Sequence, residues 1–240
     1  QNTLIGGLAG DAITTGGQNT AVGYLALSAG VASFYNTAIG KDALASDTTG
    51  RHSVAVGRDA LTAQNNTGSN DMYNVAVGSS AGAAITTGTE NTLIGGLAGD
   101  ALTDADYNVA IGKGALGTNQ LGSRNTAVGT NSLHIANPAS AANTYNTAFG
   151  YDAGYAVTTG IENTLIGGLA GHALTDADEN TAVGLGALSA DTKGSKTVAV
   201  GRGALLNQNF TSATDSYNTA LGYFAGLSVT TGVQNVIVGG

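Results

Sequence analysis

A five-residue motif returns through the whole chain at a fixed spacing, and this repeat limits the possible folds more than any other feature. The motif is Asn, Thr or Val, two apolar residues and Gly. Its spacing is 17, 17, 17 and 21 residues, and this group of four recurs with a period of 72. Such a chain folds as a stack of similar coils. We therefore treat residues 1–240 as a single repeat array, with coils that begin at residues 2, 19, 36, 53, 74, 91, 108, 125, 146, 163, 180, 197, 218 and 235.

The first five positions of each coil have the residue types of a β-strand that ends at a glycine. Position 2 is Thr or Val and position 4 is large, apolar and mostly β-branched, which favours strands. Position 5 is Gly in all fourteen coils, which indicates a backbone conformation or a close approach that a Cβ atom would prevent. Position 1 is Asn except at Ser53 and Thr197, and stacked Asn side chains hydrogen-bond along such an array. The structural repeat residues therefore include Asn2, Gly6, Asn19, Gly23, Asn91, Gly95, Asn163 and Gly167.

A second cluster of small and apolar residues lies at positions 8 and 9. Position 8 is Ala in twelve coils and Ser132 in the other, and position 9 is Leu or Gly. The residues that follow are rich in Thr, Gly, Asp and Asn, which is typical of turns. We expect two short strands and two turns in each coil. The pattern predicts an all-β fold, a parallel β-solenoid or β-roll of 17-residue coils in which every fourth coil has 21 residues.

Position 3 makes both faces of the predicted strand apolar, because it is always Ala, Leu or Ile. Side chains alternate along a strand, so positions 2 and 4 share one face and position 3 lies on the other. A strand with two apolar faces needs both of them covered. A 17-residue coil is too thin to supply two cores. We therefore expect the second face to meet other copies of the chain in a cyclic oligomer.

Composition excludes several classes of partner. The formal net charge of −8 and the pI near 4.5 argue against nucleic-acid binding, which needs a dense basic surface. No apolar run approaches the roughly 20 residues of a membrane helix, so we expect no membrane insertion in this segment. The sequence begins at Gln1, one residue before a coil, and stops six residues into another coil. We expect it to be a piece of a longer array.

The repeats resemble a known group of fibre proteins. The motifs NTAVG, NTAIG, SVAVG and NVAVG, each followed after two residues by Ala-Leu or Ala-Gly, are similar to the left-handed parallel β-roll repeats in the heads of trimeric autotransporter adhesins. Similar arrays occur in bacteriophage tail fibres. The resemblance covers residues 2–240 and implies an extracellular or virion-surface homotrimer with position 3 toward the three-fold axis. Adhesin repeats are shorter and lack a regular 21-residue coil, which favours a fibre of the phage type.

The longer coils supply candidate contact residues. Their extra residues form three loops at 62–73, 134–145 and 206–217, and each loop ends in Tyr. Variable loops on a rigid scaffold commonly carry binding sites. The candidate receptor contacts, for a host surface glycan or protein, are Tyr73, Tyr145, Tyr217, Met72 and Phe210. The alternative is that each Tyr closes a coil or packs between chains. The basic residues recur near the 72-residue period, and we expect exposed ion pairs between coils rather than an anion site.

The sequence offers no set of residues for catalysis or for a cofactor. The segment GGLAGDAIT at 6–14 invites comparison with a calcium-binding nonapeptide, but Ala9 replaces a required Gly and most coils lack the Asp. His52, His134 and His172 share no metal-binding spacing. No Ser, His and Asp set recurs, and no pair of carboxyl groups is arranged for acid–base catalysis. We expect no enzyme activity, no cofactor and no metal.

These patterns favour a structural function. The sequence predicts a segment of a viral tail fibre or a cell-surface adhesin, a rigid spacer that contacts receptors through its longer loops. One alternative is an ice- or surface-binding solenoid, which requires the Thr residues of position 2 to be exposed on a flat side. The Val residues at that position argue for burial instead. Another alternative is a subunit of a self-polymerising extracellular filament.

Overall fold

The computed structural model describes residues 1–66, 68 and 71–240, and these residues form a parallel β-solenoid of about fourteen turns. The described residues contain no helix. The chain divides into two compact units, Gln1–Leu121 and Gly122–Gly240. The all-β solenoid predicted from the repeat is confirmed.

Each unit has one three-residue strand per coil, at positions 2 to 4, and neighbouring strands pair in parallel. The register follows the repeat, so that Thr3 pairs with Thr20 and Ile5 with Val22. The strands of the first unit, in the order of the sheet, are β1 (Thr3–Ile5), β2 (Thr20–Val22), β3 (Thr37–Ile39), β4 (Val54–Val56), β5 (Val75–Val77), β6 (Thr92–Ile94) and β7 (Val109–Ile111).

The second unit repeats this arrangement with eleven strands. Seven of them form its main sheet, in the order β9, β11, β12, β13, β15, β17 and β18, and β8 pairs with β10 and β14 with β16. The bounds are β8 (Gly122–Ser123), β9 (Thr126–Val128), β10 (Ala142–Asn143), β11 (Thr147–Phe149), β12 (Thr164–Ile166), β13 (Thr181–Val183), β14 (Gly194–Ser195), β15 (Val198–Val200), β16 (Thr214–Asp215), β17 (Thr219–Leu221) and β18 (Val236–Val238).

A second, shorter ladder lies at positions 15 and 16 of 17-residue coils and at positions 18 and 19 of 21-residue coils, and the expectation of a strand at positions 8 and 9 is wrong. In the second unit β8 and β14 lie at positions 15 and 16 and pair with β10 and β16 at positions 18 and 19. In the first unit bridges join Gly17, Phe34, Arg51 and Asp71 in sequence. Positions 8 and 9 form a turn instead. Residues there are small or adopt positive φ, as at Leu27 with φ of 52°, so they cannot continue an extended strand.

The core of each coil contains position 3, which corrects the predicted orientation of the strand. Ala21, Leu93 and Leu165 are fully buried inside the chain's own coil. Position 8 is Ala or Ser and position 3 is Ala in ten coils, which lets the two walls of a thin coil approach closely enough to pack. Position 3 therefore faces neither a three-fold axis nor another chain, and positions 2 and 4 point outward.

Core volume is shared between positions 9 and 12. Where position 9 is Gly, position 12 is Ile, Leu or Val, and where position 9 is Leu, position 12 is Gly, Ala, Asp, Asn or Gln. A Cβ atom at Gly99 would lie 2.7 Å from Cδ1 of Leu102 and 2.8 Å from Cδ2 of Leu93. The space beside Gly99 is thus already filled by neighbouring Leu side chains. This exchange keeps each coil close-packed, as protein interiors require.

The invariant Gly at position 5 is required by backbone conformation and by stacking. All fourteen of these glycines have φ between 128° and 145°. A Cβ atom at Gly95 would lie 2.7 Å from the carbonyl carbon of Gly112 in the next coil. An L side chain rarely adopts this conformation, and no atom fits at that distance. The prediction of a special backbone at position 5 is confirmed.

The Asn residues at position 1 form the predicted ladder. Asn163 is fully buried, and its Oδ1 accepts a hydrogen bond from the backbone N–H of Asn180 at 3.0 Å. Its Nδ2 donates to the carbonyl oxygen of Ala177 at 2.8 Å, at the far end of its own coil. Each such side chain closes its coil and joins it to the next. Buried amides with these partners avoid the cost of unpaired polar groups.

Glutamine repairs the ladder where position 1 is not Asn. Gln208 lies at position 12 of the coil that begins with Thr197, and its Oε1 accepts from Nδ2 of Asn218 at 2.8 Å. Its Nε2 donates to Thr197 Oγ1 at 3.2 Å and to the buried carboxylate of Asp191 at 2.7 Å. The Oγ of Ser216 accepts from the backbone N–H of Asn218 at 3.2 Å. A side chain from the opposite wall thus replaces the missing amide.

The same repair occurs in the first unit. Gln64 Oε1 accepts from Nδ2 of Asn74 at 3.0 Å, beside Ser53, and Gln64 Nε2 is 3.4 Å from Oδ2 of the buried Asp47. The corresponding positions of the middle 72-residue period are Asn119, Asn125 and Ala136, so neither the gap nor the Gln is present there. The residues at these three positions therefore differ together between periods, because the Gln is needed only where position 1 lacks an amide.

Asp47 makes stability depend on pH. Burial raises the pKa of its carboxyl group from 3.8 to about 6, although hydrogen bonds from Gly50 and Gln64 oppose the shift. The folded chain therefore holds this proton at pH values where the unfolded chain has lost it. This contribution to stability is present at low pH and is lost as pH rises from about 4 to 6. A shift of about two pKa units corresponds to about 3 kcal/mol.

We expect the D47N variant to remove this dependence. Its free energy of unfolding, measured by urea denaturation between pH 4 and 8, lacks the fall of up to about 3 kcal/mol that wild type shows over that range. The D11N variant, at an exposed position, is the control and keeps the wild-type slope. Equal slopes for wild type and D47N would contradict the assignment.

Candidate functional site

An apolar surface runs along the main sheet of each unit, and we call it the sheet strip. It consists of the outward side chains at positions 2 and 4, which contain only Thr, Val, Ile, Leu and Phe. The main sheet of each unit has seven strands, which at about 4.8 Å per strand give a strip about 30 Å long. The strip residues are Thr3, Ile5, Thr20, Val22, Thr37, Ile39, Val54, Val56, Val75, Val77, Thr92, Ile94, Val109 and Ile111 in the first unit, and Thr126, Val128, Thr147, Phe149, Thr164, Ile166, Thr181, Val183, Val198, Val200, Thr219, Leu221, Val236 and Val238 in the second.

The strip exposes large side chains to solvent. Phe149 is 56% exposed and Leu221 50% exposed, and Ile94 and Ile166 are close to 40%. Single exposed apolar residues are ordinary, but a continuous apolar surface without any charge marks an interaction site. The strip is therefore the candidate contact surface of this protein.

One border of the strip is a row of large polar and aromatic side chains, which we call the tyrosine border. It is formed by the residue that immediately precedes position 1 of each coil, and most of its members are exposed. All thirteen have φ between 48° and 64°, the left-handed region. They are Gln18, Tyr35, His52, Tyr73, Glu90, Tyr107, Arg124, Tyr145, Glu162, Glu179, Lys196, Tyr217 and Gln234.

Neighbouring members of the tyrosine border hold one another in the first unit. The rings of Tyr35 and His52 are stacked with centroids 4.8 Å apart, and those of His52 and Tyr73 are 5.1 Å apart. The hydroxyl of Tyr73 donates to Asp71 at 3.3 Å, and this negative charge raises the pKa of the tyrosine. Aromatic pairs of this kind add stability beyond the area that they bury.

The second unit has the same arrangement with cations. Lys196 donates to Asp215 at 2.7 Å and lies 5.6 Å from the ring of Tyr217. Asp215 also accepts from the hydroxyl of Tyr217 at 3.2 Å, and its pKa is lowered chiefly by the Lys196 hydrogen bond. Arg124 lies 6.0 Å from the ring of Tyr145. Each long coil thus ends in a Tyr whose ring is fixed by a His, Arg or Lys of the coil before it.

The candidate contact residues divide into two groups. Tyr73, Tyr145 and Tyr217 are 51% to 52% exposed and lie on the tyrosine border. Met72 and Phe210 are buried at 0% and 6% exposure, so the prediction that they contact a receptor is wrong. Both are apolar side chains that turn inward where the polar loop residues face solvent. Thr67, Ser69 and Asn70 of the loop 62–73 lie outside the described residues.

The other border of the strip, which we call the basic border, is formed by position 6. It carries four cations, three Tyr and no carboxylate in the sequence. Arg202 lies 5.6 Å from the ring of Tyr223 and donates to its hydroxyl at 2.8 Å. Its members with large side chains are Tyr24, Lys41, Arg58, Lys113, Tyr151, Leu185, Arg202 and Tyr223.

The ion pairs follow the expected pattern only in part. Lys193 pairs with Asp176 at 3.5 Å, and Lys196 with Asp215 at 2.7 Å, and both pairs join different coils. Lys41 and Arg58 instead pair with the next residue in the chain, an Asp in each case. In both pairs the Asp is the residue at position 7, and its left-handed backbone places it beside the cation at position 6. The adjacent Asp is therefore nearer to the cation than a carboxylate in the next coil. Exposed pairs of this kind contribute little to stability.

The remaining titratable clusters do not form a metal site within the described residues, where no group of three His, Cys, Asp or Glu side chains is close enough to hold an ion. His134, Tyr155 and His172 instead form a stack with centroid distances of 5.5 Å.

No helix in the described part of the chain is long and apolar enough to cross a membrane. Comparison with protein-family models found no match for this chain, and comparison with curated proteins found none either.

Proposed function

We propose that this chain is a structural fibre segment, a stiff spacer on a virion or cell surface, in which three copies associate through their sheet strips. The observation that carries the proposal is the strip itself. It is apolar in every coil, uncharged and outward-facing. A fibre built from parallel copies of this chain covers such a surface along its whole length, because every copy has the same periodic strip.

The strip supplies enough apolar surface for association. Fully burying a Val, Leu or Ile side chain is worth about 1.5–3 kcal/mol, and the position 4 side chains are already about half buried in one chain. Each position 4 residue then contributes about 1 kcal/mol when another copy covers it. With seven such residues in each unit, the gross gain matches the roughly 4–15 kcal/mol lost in association.

The internal bonding suits a spacer. Backbone hydrogen bonds, the Asn ladder and the glycine contacts join consecutive coils at every turn within each unit. Local opening of one coil therefore breaks bonds to both of its neighbours. Receptor contact belongs in this proposal to exposed loop residues such as 139–141 and 211–213, which lie outside the ladders.

The first test is the mass in solution, measured by light scattering coupled to size exclusion. We expect a species of three 23.4 kDa chains, about 70 kDa. The double variant I94D/I166D places one charge on each strip and is expected to give a folded monomer, because burying an unpaired carboxylate costs several kcal/mol. The control T87D/T159D adds the same charge at exposed positions 72 residues apart and keeps the trimer. A monomeric wild type would overturn the proposal.

A second candidate function has one observation in its favour. Thr occupies position 2 in nine coils and faces outward, as a surface that orders water or binds ice requires. Val at the other five coils and the bulky Phe149 and Leu221 interrupt a flat Thr surface, which is why we favour contact between chains. A thermal-hysteresis assay on the monomeric I94D/I166D variant and on wild type distinguishes the two. Thermal hysteresis by wild type would support the second candidate.

A further inference from the structure

The tyrosine border is built at the cost of backbone strain. All thirteen of its residues adopt the left-handed conformation, and none is Gly or Asn, the residues that adopt it most easily. A non-glycine residue in this region is strained, because its Cβ atom crowds the backbone. The strain is repeated in successive coils of both units, so it is a property of the repeat and not of one turn.

Position 7 shows what the same conformation ordinarily selects. Its thirteen residues also have φ between 52° and 67°, and seven of them are Gly, Asn or Asp. The two positions therefore share a backbone conformation but differ in the side chains that they select. Because Gly would relieve the strain at the tyrosine border, the large side chains there must have a function of their own. Strain of this kind is a reason to look for function.

The position and composition of the border indicate the partner. It lies two residues before position 2, directly beside the sheet strip, and five of its thirteen residues are Tyr. An apolar centre with a rim of Tyr and charged residues is the composition of protein interfaces. The rings are already fixed by His52, Arg124 and Lys196, so little conformational freedom remains to be lost on binding.

Charge favours a second copy of the chain over an anionic ligand. The tyrosine border carries Glu90, Glu162 and Glu179 as well as Arg124 and Lys196, so its sign changes along the row. The basic border, on the other side of the same strip, has four cations and no carboxylate of its own, and two of the cations, Lys41 and Arg58, pair with the Asp that follows them. In a cyclic assembly one border of each copy meets the opposite border of the next.

We infer that the tyrosine border of one copy binds the basic border of its neighbour and so closes the interface on both sides of the strip. This inference rests on the proposed function. It assigns Tyr73, Tyr145 and Tyr217 to contact between chains in place of contact with a receptor.

The test is the triple variant Y73G/Y145G/Y217G. Gly relieves the left-handed strain, so we expect the dissociated chain to keep its circular dichroism spectrum and its thermal stability. The trimer is expected to dissociate at a concentration about 100-fold or more above that of wild type, because buried Tyr residues dominate interface energies. The measurement is mass by light scattering over a dilution series.

One control and two outcomes separate the explanations. S80G relieves the same strain at position 7 without removing a large side chain, and it is expected to dissociate as wild type does. A wild-type trimer with an equally stable Y73G/Y145G/Y217G trimer would overturn this inference and leave the proposed function intact. A wild type that is monomeric at every concentration would overturn both.

Discussion

Replacing Gly95 by Ala is expected to lower the free energy of unfolding by about 4 kcal/mol. The φ of Gly95 is 134°. L residues rarely adopt this region, and doing so costs them about 1–3 kcal/mol. The added Cβ would also lie 2.7 Å from the carbonyl carbon and oxygen of Gly112, so the next coil has to shift. Because the two coils are held by backbone hydrogen bonds, that shift also weakens the parallel ladder. Urea denaturation followed by circular dichroism measures the change.

The neighbouring glycine is the matched control. A Cβ atom at Gly96 would meet only the carbonyl oxygen of Ser79, at 3.9 Å, and the φ of Gly96 is not positive. Gly96→Ala is therefore expected to change stability by less than about 1 kcal/mol, with stabilisation through the unfolded chain as the favoured direction. Equal effects of the two substitutions would show that position 5 has no special role.

Replacing Gln208 by Ala is expected to cost about 3 kcal/mol of unfolding free energy. The substitution leaves the buried carboxylate of Asp191 without its 2.7 Å donor and removes the acceptor for Asn218 Nδ2. It also opens a cavity in a close-packed coil. Buried polar groups that lose one partner pay the full cost of desolvation. Thermal and urea denaturation of the variant measure the loss.

A rescue experiment tests the reason for that loss. The triple variant D191N/T197N/Q208A copies the combination Asn119, Asn125 and Ala136, which the chain uses 72 residues earlier. It restores an amide at position 1, whose oxygen can accept from Ser216 as Asn125 accepts from Thr144 at 2.7 Å. We expect its stability to return to within about 1 kcal/mol of wild type. A triple variant no more stable than Q208A would contradict the repair of the ladder by Gln208.

Part of the candidate site follows from the sequence. The three Tyr residues that end the long loops stand out by their spacing, and they are half-exposed in the structure. Met72 and Phe210 belong to the same loops but are buried, because composition identifies a loop without giving the direction of each side chain. Tyr also recurs immediately before position 1 in five coils, but the left-handed backbone that this border shares is visible only once the coil has closed.

The sequence by itself determined the number of coils, their parallel register, the Gly at position 5 and the Asn ladder. Each of these follows from a steric or hydrogen-bonding need that repeats in every coil, so periodicity alone reveals it. Alternation along a strand also separates positions 2 and 4 from position 3, but it does not say which side is inside. Only the tertiary structure decided that. The second ladder forms at positions 15 and 16 of 17-residue coils and at positions 18 and 19 of 21-residue coils, and the Ala or Ser at position 8 allows the walls to close over position 3. The Thr, Val and Ile side chains of positions 2 and 4 point outward because the coil closes through contacts between residues that are distant in the sequence.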